Sequence, residues 1–454
     1  LAIISLSVPK LRGGTALNPP LSPRHVAVIG AGRSGRASVR LLHEAGADVR
    51  LLEKKPEQMP ADFASWLSEH RVPVLGGDHR PEYFEGVDLV IPSPAAAKAV
   101  IEPLLPAGKD GAKAEICAET ELAWRMLEGE PVIGVTGTSG ETTTTSLCAA
   151  MLEAHGLRVF TGGNIGVPLS EYVLARLHGE PKADVVVLEL SSFQLQTCST
   201  LHPRVGILLN ISENHLDFHK DMKEYTDAKM RLFARQTERD VAILHPSLSA
   251  LPEAYGMKAR VIYLTPGARP FPDTKLIGAH NQSNAEAAFL AASLFDVTRE
   301  EAARAMRDFA PIAHRLEHIA DMDGVQYVND SKCTTIEALR VALAAFDRPV
   351  ILLAGGKFKG GDVEGVCPLL RDHVRAVALY GASREHFEPA WKDVVPVTWD
   401  ETMDQALARA GSIARPGDAV LLAPATSSYD QYRNYIERGN HFRDLVNAMQ
   451  EGKA

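Results

Sequence analysis

The sequence alternates short apolar segments with helical ones, and this alternation restricts the possible folds more than any other feature. The first series contains HVAVIG (25–30), ADVRLLE (47–53) and DLVIPSP (88–94), and the helical segment ASVRLLHEAG (37–46) separates the first two. A strand, a helix and a second strand within about thirty residues form a βαβ unit, whose two strands are parallel. We therefore predict an α/β fold built on parallel sheets.

The alternation starts twice more along the chain. A second series begins at PVIGVTG (131–137) and a third at GVQYVND (324–330). Later apolar segments continue these two series: ADVVVLEL (183–190), RVGILLN (204–210), RPVILLAGG (348–356), VRAVALYG (374–381) and DAVLLAPA (418–425). Because a chain of 454 residues is too long for one hydrophobic core, each series indicates a domain. We predict a leader and three domains, with the bounds 1–23, 24–130, 131–312 and 313–454.

Composition excludes several classes of partner. The formal net charge of -9 argues against nucleic acid or an anionic membrane surface. The cysteines form no C-x-x-C pair, which favours a reducing compartment. No segment of the sequence approaches the roughly twenty apolar residues that a membrane-spanning helix needs. We expect a cytoplasmic monomer without nucleic-acid or membrane partners.

The sequence GAGRSG (30–35) follows the first predicted strand and precedes a helix. In this position the G-x-G-x-x-G pattern is typical of a dinucleotide-binding turn, and Glu53 closes the next strand, where an acidic residue contacts a ribose. The glycines require only the close approach of a pyrophosphate, which a UDP-sugar also carries. An NAD-linked oxidoreductase and a UDP-sugar-binding protein therefore both remain open here, and helix packing alone also explains such glycines.

The segment GVTGTSGETTTTS (134–146) has the composition of a phosphate-binding loop. The backbone N–H groups of a glycine-rich turn and the positive end of the following helix bind phosphate. The Walker pattern requires a lysine before the Ser or Thr, and Glu141 occupies that position. The candidate nucleotide contacts are Gly137, Thr138, Ser139, Gly140, Glu141, Thr142 and Thr143.

Three polar clusters follow strands of the second series: GGNIG (162–166), ELSSFQL (189–195) and NISENHLDFH (210–219). In open α/β sheets ligands bind beyond the carboxyl ends of the strands, so we expect Glu189 and His215 near a bound nucleotide. Mg²⁺ prefers oxygen ligands, which Thr142 and Glu189 offer, whereas a histidine is a less usual partner. Taken singly, each of these residues is equally well explained as a solvated or capping side chain.

Ten motifs in order resemble those of the Mur ligase family over about residues 24–445. They are GVTGTSGETTTT, GGNIG, ELSSFQL, NISENHLDFH, DAKMRLF, GAHNQSN, HRLE, NDSKCTT, AGGKFKGGD and LLAPATSSYDQYRNYIERGNHF. The resemblance implies an N-terminal Rossmann-like domain for a UDP-sugar, a central P-loop ATPase domain with a mostly parallel sheet, and a C-terminal Rossmann-like domain for an amino acid. It therefore favours a UDP-sugar over NAD at GAGRSG.

The resemblance implies a ligase of peptidoglycan precursor synthesis that uses ATP and Mg²⁺. The γ-phosphate of ATP would activate the carboxylate of UDP-N-acetylmuramoyl-L-alanine as an acyl phosphate, which the amine of D-glutamate then attacks. The implied catalytic residues are Lys229, His215, Glu189 and Asn164. The implied metal ligands are Thr142, Glu189, His215 and Lys229, the last carbamylated by CO₂ so that it carries a negative charge.

The remaining contacts that the resemblance implies fall into three groups. Further nucleotide contacts are Asn284, Arg315, Asp330 and Lys332. The UDP-sugar side is matched by Gly32, Arg33, Ser34, Glu53, Lys55 and Ser93. The D-glutamate pocket is matched by Thr334, Lys359, Ser428 and Tyr435. A cation and hydroxyl groups in such a pocket suit two carboxylates. The sequence lacks the DNPR signature of the diaminopimelate-adding relatives, which favours glutamate.

Two positions depart from the family pattern. Asn214 replaces an aspartate before the histidine, which keeps an oxygen and loses only charge, and Glu141 replaces the phosphate-binding lysine. A charge pair at about 4 Å is worth roughly 4 kcal/mol at an effective dielectric of about 20, so a reversed charge opposite a triphosphate is severe. Three interpretations remain open: a single-base change from a Lys to a Glu codon, a ligase with a compensating cation at Lys332 or Lys359, or a nucleotide-binding relative without turnover.

Overall fold

The computed structural model describes residues 24–93, 96, 98–107, 113–215, 218–310 and 312–452. Within these residues the chain forms three sheets in sequence order, each with helices packed against it. The predicted α/β class is therefore confirmed, and the predicted leader at 1–23 lies outside the described residues. None of the helices in the described part of the chain is long and apolar enough to cross a bilayer.

The first sheet contains the strands β1 (His25–Ile29), β2 (Asp48–Glu53), β3 (Val74–Gly76), β4 (Leu89–Ile91) and β5 (Glu115–Ile116). Their order is β3-β2-β1-β4-β5, and the pairings are parallel. The helices of this region are α1 (Arg33–Glu44), α2 (Ala61–Glu69), α3 (Lys98–Ile101) and α4 (Glu119–Trp124). The GAGRSG turn thus joins β1 directly to α1, which begins earlier than the apolar pattern predicted.

The second sheet contains β6 (Val132–Thr136), β7 (Val159–Gly163), β8 (Val185–Glu189), β9 (Val205–Leu208), β10 (Val241–Leu244) and β11 (Arg260–Tyr263). Their order is β11-β10-β9-β6-β8-β7, again with parallel pairings. The helices are α5 (Glu141–Ala154), α6 (Leu169–Leu177), α7 (Ser192–Leu195), α8 (Met222–Met230), α9 (Leu251–Ala254), α10 (Ala279–Ser293) and α11 (Arg299–Asp308). The central strand β6 therefore has β8 and β9 as its two neighbours.

The third sheet contains β12 (Glu317–Met322), β13 (Val325–Asn329), β14 (Val350–Gly355), β15 (Val374–Tyr380), β16 (Val397–Asp400) and β17 (Ala419–Leu422). Their order is β12-β13-β17-β14-β15-β16. The helices are α12 (Ile336–Leu343), α13 (Cys367–His373), α14 (Arg384–Trp391), α15 (Met403–Ile413) and α16 (Tyr435–Glu451). The pairing of β12 with β13 is antiparallel and the others are parallel, so this sheet is mixed.

The antiparallel edge strand β12 was not predicted. A two-residue turn, Asp323-Gly324, joins it to β13, and both turn residues have positive φ, 52° and 77°. Two-residue hairpins favour this backbone because its twist matches that of the strands, and Asp-Gly is a sequence signal for it. The signal was therefore present in the sequence.

Contacts divide the chain into two units. The first contains the described residues up to Pro270 together with Ser283–Ala305, and it includes the first and second sheets. The second contains Phe271–Gln282 and the described residues from Met306 onwards, and it includes the third sheet. The predicted domain boundaries near residues 130 and 312 stay predictions.

The central strands are apolar on both faces. Every residue of β6 and β8 is buried, and so is every residue of β14. A parallel sheet that helices cover on both sides requires such continuous apolar strands rather than an alternating pattern. This is why the strands could be recognised in the sequence as uninterrupted apolar runs.

Gly35 allows α1 to begin close to the end of β1. A Cβ atom on Gly35 would lie 1.9 Å from the carbonyl oxygen of Gly30, which is far inside van der Waals contact. Gly30 itself has a φ of 89°, the left-handed conformation that glycine adopts without strain. At Gly32, by contrast, an added Cβ would have no neighbour within 4 Å.

We predict that Gly35→Ala destabilises the first unit and that Gly32→Ala does not. The overpacked Gly35→Ala variant should lose about 2–3 kcal/mol, which lowers the melting temperature by about 5 °C or more. Thermal unfolding followed by circular dichroism measures both variants under the same conditions. Equal melting temperatures for the two variants would contradict the close approach of α1 to β1.

Candidate active site

The phosphate-binding candidate is the loop between β6 and α5. The helix begins at Glu141 after Gly140, whose φ of 90° requires glycine. Asn284 of α10 is buried against this turn, because a Cβ atom on Gly140 would lie 2.5 Å from its Oδ1 atom. The loop therefore leads the chain directly into a helix N-terminus, where main-chain N–H groups and the helix dipole favour an anion.

The side chain of Asn210, just beyond β9, contacts this loop from the neighbouring strand. Its Oδ1 atom accepts hydrogen bonds from the main-chain N–H groups of Thr138 and Ser139, at 3.0 and 2.9 Å. Its Nδ2 group donates to the carbonyl oxygen of Ser139 at 2.9 Å. Asn210 was not among the predicted contacts, although it opens the NISENHLDFH cluster.

Thr142, Glu189 and Asn164 form one hydrogen-bonded group beside the loop. The buried carboxylate of Glu189, at the end of β8, accepts a hydrogen bond from the Thr142 hydroxyl and another from the Asn164 amide, both at 2.7 Å. The main-chain N–H of Asn164 also donates to the Glu189 carbonyl oxygen at 2.8 Å. The structure thus brings together three of the predicted residues, with the oxygen donors that Mg²⁺ prefers.

Lys229 lies in α8, and its side chain is buried against the same loop, with 2% of it exposed. Its ammonium donates hydrogen bonds to the carbonyl oxygen of Gly137 and to the hydroxyl of Thr136, the latter at 3.3 Å. Burial lowers the pKa of Lys229 to about 8, while the carboxylates of Glu141 and Glu189 act in the opposite direction. A part of the lysine population is therefore a neutral, nucleophilic amine close to neutral pH.

His215 has a left-handed backbone, with a φ of 57°, which is uncommon outside glycine. Its ring centroid lies 4.9 Å from that of Phe193 and 6.3 Å from that of Tyr225. The Tyr225 hydroxyl in turn lies 3.0 Å from the hydroxyl of Thr138. The segment that carries His215 is therefore packed next to the phosphate loop.

No preformed cage of metal ligands is present in the part of the chain that the structure describes. Among these residues, no three His, Cys, Asp or Glu side chains lie close enough to hold a metal ion. Magnesium in nucleotide sites commonly has only one or two protein carboxylates, with phosphate oxygens and water as its other ligands. The donor set of Thr142 and Glu189 fits an ion of this kind.

Glu53 closes the GAGRSG turn at the edge of the first sheet. Its carboxylate accepts hydrogen bonds from the main-chain N–H groups of Ala31 at 2.7 Å and Lys55 at 3.1 Å. The side chain of Ser93 packs against Gly30, where an added Cβ would lie 3.1 Å from the Ser93 Cβ. The ends of β1, β2 and β4 therefore meet at this turn, and Glu53 shapes the turn itself.

A cavity in the first unit separates the GAGRSG turn from α7. Ser34 and Ser93 line it near the turn, and Phe193 and Gln194 line it at α7. Glu119, a buried residue of α4, is a further lining residue. The cavity therefore connects predicted sugar-nucleotide contacts with the ELSSFQL segment.

A chain of hydrogen bonds connects Glu119 and Gln194, two residues that line this cavity. None of the residues in this chain was a predicted site residue. Glu119 accepts from the Ser170 N–H at 2.6 Å and from the Thr120 hydroxyl at 3.3 Å, and burial raises its pKa. Gln194 donates to the Thr120 hydroxyl at 3.0 Å and accepts from the Ser191 N–H at 3.0 Å. The carboxyl group is thus buried but satisfied, which is the condition for burying a polar group.

In the second unit, the predicted nucleotide contacts lie just beyond β13. Asp330 accepts a hydrogen bond from the Leu316 N–H at 3.2 Å. Burial raises the pKa of Asp330 to about 7, while nearby arginines, Arg315 among them, act in the opposite direction. The Lys332 ammonium lies 4.1 Å from the ring centroid of Tyr435, a cation–π contact.

Main-chain bonds bring the predicted amino-acid contacts to the same edge of the third sheet. The Ala425 N–H donates to the Cys333 carbonyl at 3.0 Å. Lys357 and Ser427 exchange two main-chain bonds of 2.9 and 3.1 Å. The candidates on these segments are Thr334, Lys359 and Ser428. Because β13, β14 and β17 end at one edge, these candidates lie where an α/β sheet binds ligands.

Comparison with known proteins identifies the family. Residues 135–253 match the Mur ligase middle domain, and residues 314–426 match the Mur ligase glutamate ligase domain. A curated relative, UDP-N-acetylmuramoylalanine--D-glutamate ligase of Nitratidesulfovibrio vulgaris, is 57% identical over 430 residues, which cover 93% of this chain and 96% of the relative. The chain belongs to the Mur ligase family.

Two further comparisons agree with this assignment. The relative of the same name from Desulfovibrio desulfuricans is 54% identical over 424 residues, 93% of this chain and 96% of its own. The solved MurF ligase of Thermotoga maritima in complex with ADP has a TM-score of 0.57 at 14% identity, over 96% of this chain and 100% of its own. The family resemblance predicted from the motifs is confirmed, and the solved structure supports the fold alone.

In this Mur ligase many of the predicted residues lie near the ends of strands, whereas Lys229, Asn284 and Tyr435 lie in helices. The individual roles of all these residues stay predictions. Gly32 caps α1, which begins at Arg33, and Thr143 is buried in the first turn of α5. Tyr225 and Gln194 were missed, although Gln194 lies within the ELSSFQL segment and Tyr225 lies four residues before Lys229 in α8. Their involvement depends on contacts between segments far apart in the chain, which no local pattern reveals.

We predict a pH dependence of stability that arises from Lys229. Between its folded pKa of about 8 and its ordinary value of 10.5, the unfolded chain holds a proton that the folded chain has lost, so stability rises with pH. The slope approaches about 1.4 kcal/mol per pH unit. Burial raises the pKa of Cys117, Cys148, Cys198 and Cys333, and these thiols give a contribution of the opposite sign over part of the same range. In urea unfolding from pH 7.5 to 10 we therefore expect the stability of the unmodified chain relative to Lys229→Met to increase with pH.

The exposed Lys258→Met variant is the matched control and should have the same pH profile as the unmodified chain. A stability difference between the unmodified chain and Lys229→Met that stays constant across this range would contradict the contribution of Lys229.

Proposed function

We propose that this Mur ligase uses ATP to join D-glutamate to UDP-N-acetylmuramoyl-L-alanine. The observation that carries the proposal is the 57% identity, over nearly the whole length of both chains, to a relative named for that reaction. The local geometry supports it, because a phosphate loop, a buried carboxylate and an oriented amide lie together at the ends of neighbouring strands. Family membership also favours a ligase over the NAD-linked oxidoreductase.

The proposed reaction turns a carboxylate into an acyl donor. Transfer of the γ-phosphoryl group of ATP to the carboxylate of the muramoyl-alanine forms an acyl phosphate and ADP. The amine of D-glutamate then attacks the acyl carbon, loses a proton, and releases phosphate as the amide forms. Both steps gather negative charge, which fixed donors must stabilise. The main-chain N–H groups at the start of α5 are the donors that this chain supplies at the loop.

Magnesium would arrive with the nucleotide and neutralise charge on the phosphates. The Thr142 hydroxyl and the Glu189 carboxylate would hold it, and His215 is a further candidate ligand. Asn164 orients Glu189 through their 2.7 Å hydrogen bond, so its proposed role includes positioning this carboxylate.

The cavity between the GAGRSG turn and α7 is the proposed site of the sugar nucleotide. Gly32 and Ser34 of the turn, with Glu53 and Ser93, would meet its diphosphate and uridine end. Gln194 lies where this cavity meets the ELSSFQL segment. In the second unit, Lys359 and the hydroxyl groups beside it would bind the two carboxylates of D-glutamate. We propose a cytoplasmic protein, because its proposed substrates are nucleotide-linked precursors; that it is a monomer stays a prediction.

Glu141 has a structural role that does not involve ATP. As the first residue of α5 it lies at the positive end of the helix dipole, which stabilises an acidic residue by about 0.3–1 kcal/mol. The predicted compensating cations, Lys332 and Lys359, belong to the second unit. Within the first unit, Lys229 is a cation close enough for Glu141 to raise its pKa. We propose Lys229 as the compensating cation of the empty loop.

Carbamylation of Lys229 is the corresponding proposal for the metal-loaded site. The neutral amine would attack CO₂, form an N–C bond and release a proton, and a pKa of about 8 supports such reactivity. The resulting negative charge beside Glu141 and Glu189 would require a cation, so we expect the carbamate only with Mg²⁺ and nucleotide. A ¹³C carbamate signal from labelled bicarbonate, lost in Lys229→Arg, is the measurement; no signal under any condition would remove Lys229 from the metal ligands.

The proposed function predicts phosphate release from ATP that depends on both other substrates. We expect release with UDP-N-acetylmuramoyl-L-alanine and D-glutamate together, and little with either alone, because the sugar nucleotide forms the acyl phosphate and D-glutamate then displaces phosphate from it. Release without the sugar nucleotide would point to a different acceptor. ATP binding without any release would favour the nucleotide-binding relative, and quenching of NADH fluorescence would revive the oxidoreductase hypothesis.

In the same assay we predict that Glu141→Lys turns over at least about tenfold faster than the unmodified chain, since about 1.4 kcal/mol of restored attraction suffices. Glu141→Gln should lie between the two. Glu153→Lys is the matched control, because it makes the same charge change near the other end of α5. Turnover in Glu141→Lys that is no faster than in the unmodified chain would contradict the prediction that a cation is missing at the loop. So would an equal acceleration in Glu153→Lys.

A further inference from the structure

The phosphate loop is held by Asn210, a side chain that no predicted role covers. Strands β6 and β9 are parallel neighbours, and their pairing ends with Thr136 opposite Leu208. Two residues further along, the segments that follow these strands make one more main-chain contact. Asn210 therefore lies beside Thr138, and its main-chain carbonyl accepts the Thr138 N–H at 3.1 Å. The contact extends the sheet beyond the ends of its strands.

The carboxamide of Asn210 continues this pairing into the turn. Its oxygen accepts the N–H groups of Thr138 and Ser139, and its nitrogen donates to the Ser139 carbonyl. A carboxamide presents an acceptor and a donor in one plane, as a peptide unit does. Asn210 thus takes the place of one more residue of a neighbouring strand, where the chain itself has already turned away.

These bonds fix the conformation of the loop at its most irregular point. Ser139 is exposed, and the following Gly140 has the left-handed backbone that turns the chain into α5. Because Asn210 fixes the peptide groups of Thr138 and Ser139, the turn at Gly140 gives α5 one orientation relative to the loop. The Thr138 hydroxyl also accepts the Ser212 N–H at 3.0 Å, so the segment that carries His215 is tied to the same loop.

We infer that Asn210 is a positioning residue for ATP, which holds the phosphate loop in its binding conformation before the nucleotide arrives. The inference rests on the proposed function only in taking ATP as the ligand. Glu141 gives this loop no attractive side-chain charge, so its affinity depends on N–H groups that are already oriented. Preorganisation of this kind raises affinity by reducing the ordering that binding requires.

Two variants separate the parts of this contact. Asn210→Asp keeps an acceptor for the two N–H groups but loses the donor to Ser139 and adds a negative charge. Asn210→Ala loses the acceptor and the donor. Ser212→Ala is the matched control on the same segment, because only the main chain of Ser212 contacts Thr138. Isothermal titration with ATP and with ADP, each with Mg²⁺, measures the affinity, and steady-state kinetics give KM for all three substrates.

We expect both Asn210 variants to bind ATP and ADP about tenfold more weakly or worse, since one to two net hydrogen bonds are lost. The KM for the sugar nucleotide and for D-glutamate should stay within about twofold, and the melting temperature of the nucleotide-free chain within a few degrees. Ser212→Ala should match the unmodified chain. This selective loss of nucleotide affinity is a result that general destabilisation does not produce.

Unchanged ATP affinity in Asn210→Ala would overturn the inference, as would a parallel rise of all three KM values with a large fall in melting temperature. The titration needs no sugar nucleotide, so it measures nucleotide affinity, and tests the inference, independently of turnover. ATP binding that weakens in the variants, in a chain that never releases phosphate, supports the inference and overturns the proposed function. Failure of the unmodified chain to bind ATP overturns both.

Discussion

The proposed nucleotide site depends on one constraint: main-chain N–H groups at one edge of a parallel sheet would have to bind a polyanion. The chain carries a net charge of -9, and Glu141 places a negative charge at the start of the helix where a cation would help. The parallel pairing of β6 with β8 and with β9 brings the phosphate loop, Glu189 and Asn210 to the same edge. Register, rather than net charge, therefore assembles this site.

Buried polar groups then make that edge rigid. Glu189 is buried and bonded through both carboxylate oxygens, and Lys229 is buried with its ammonium on the loop. An unpaired buried charge would be costly, so each group fixes its partners as well as itself. The same holds at the cavity between the GAGRSG turn and α7, where Glu119 is buried but bonded to a main-chain N–H and a hydroxyl. The reactive parts of the first unit are thus held by groups that cannot move independently.

Most of the architecture could be read from the sequence, because buried parallel strands are continuous apolar runs. The glycine turns, the strand ends and the order of motifs were sufficient for the fold class and the family. The short or edge strands were harder to find, and β12 was missed although Asp323-Gly324 marked its hairpin. Asn210, Thr120 and Gln194 were missed for a different reason. Their partners lie on other elements, so only the folded chain gives them a role.

Asn210 and Glu141 together suggest how a phosphate loop works without its lysine. A lysine contributes attraction that acts at a distance and is weakened by salt, whereas oriented N–H groups contribute only at contact and depend on geometry. If oriented N–H groups replace the lysine, phosphate binding depends on the conformation of the loop rather than on its charge. In this chain Asn210 fixes the peptide groups before the helix, and Gly140 supplies the turn. Under the proposed function, the departure at position 141 would therefore make the geometry of these N–H groups, rather than a side-chain charge, the interaction that limits nucleotide binding.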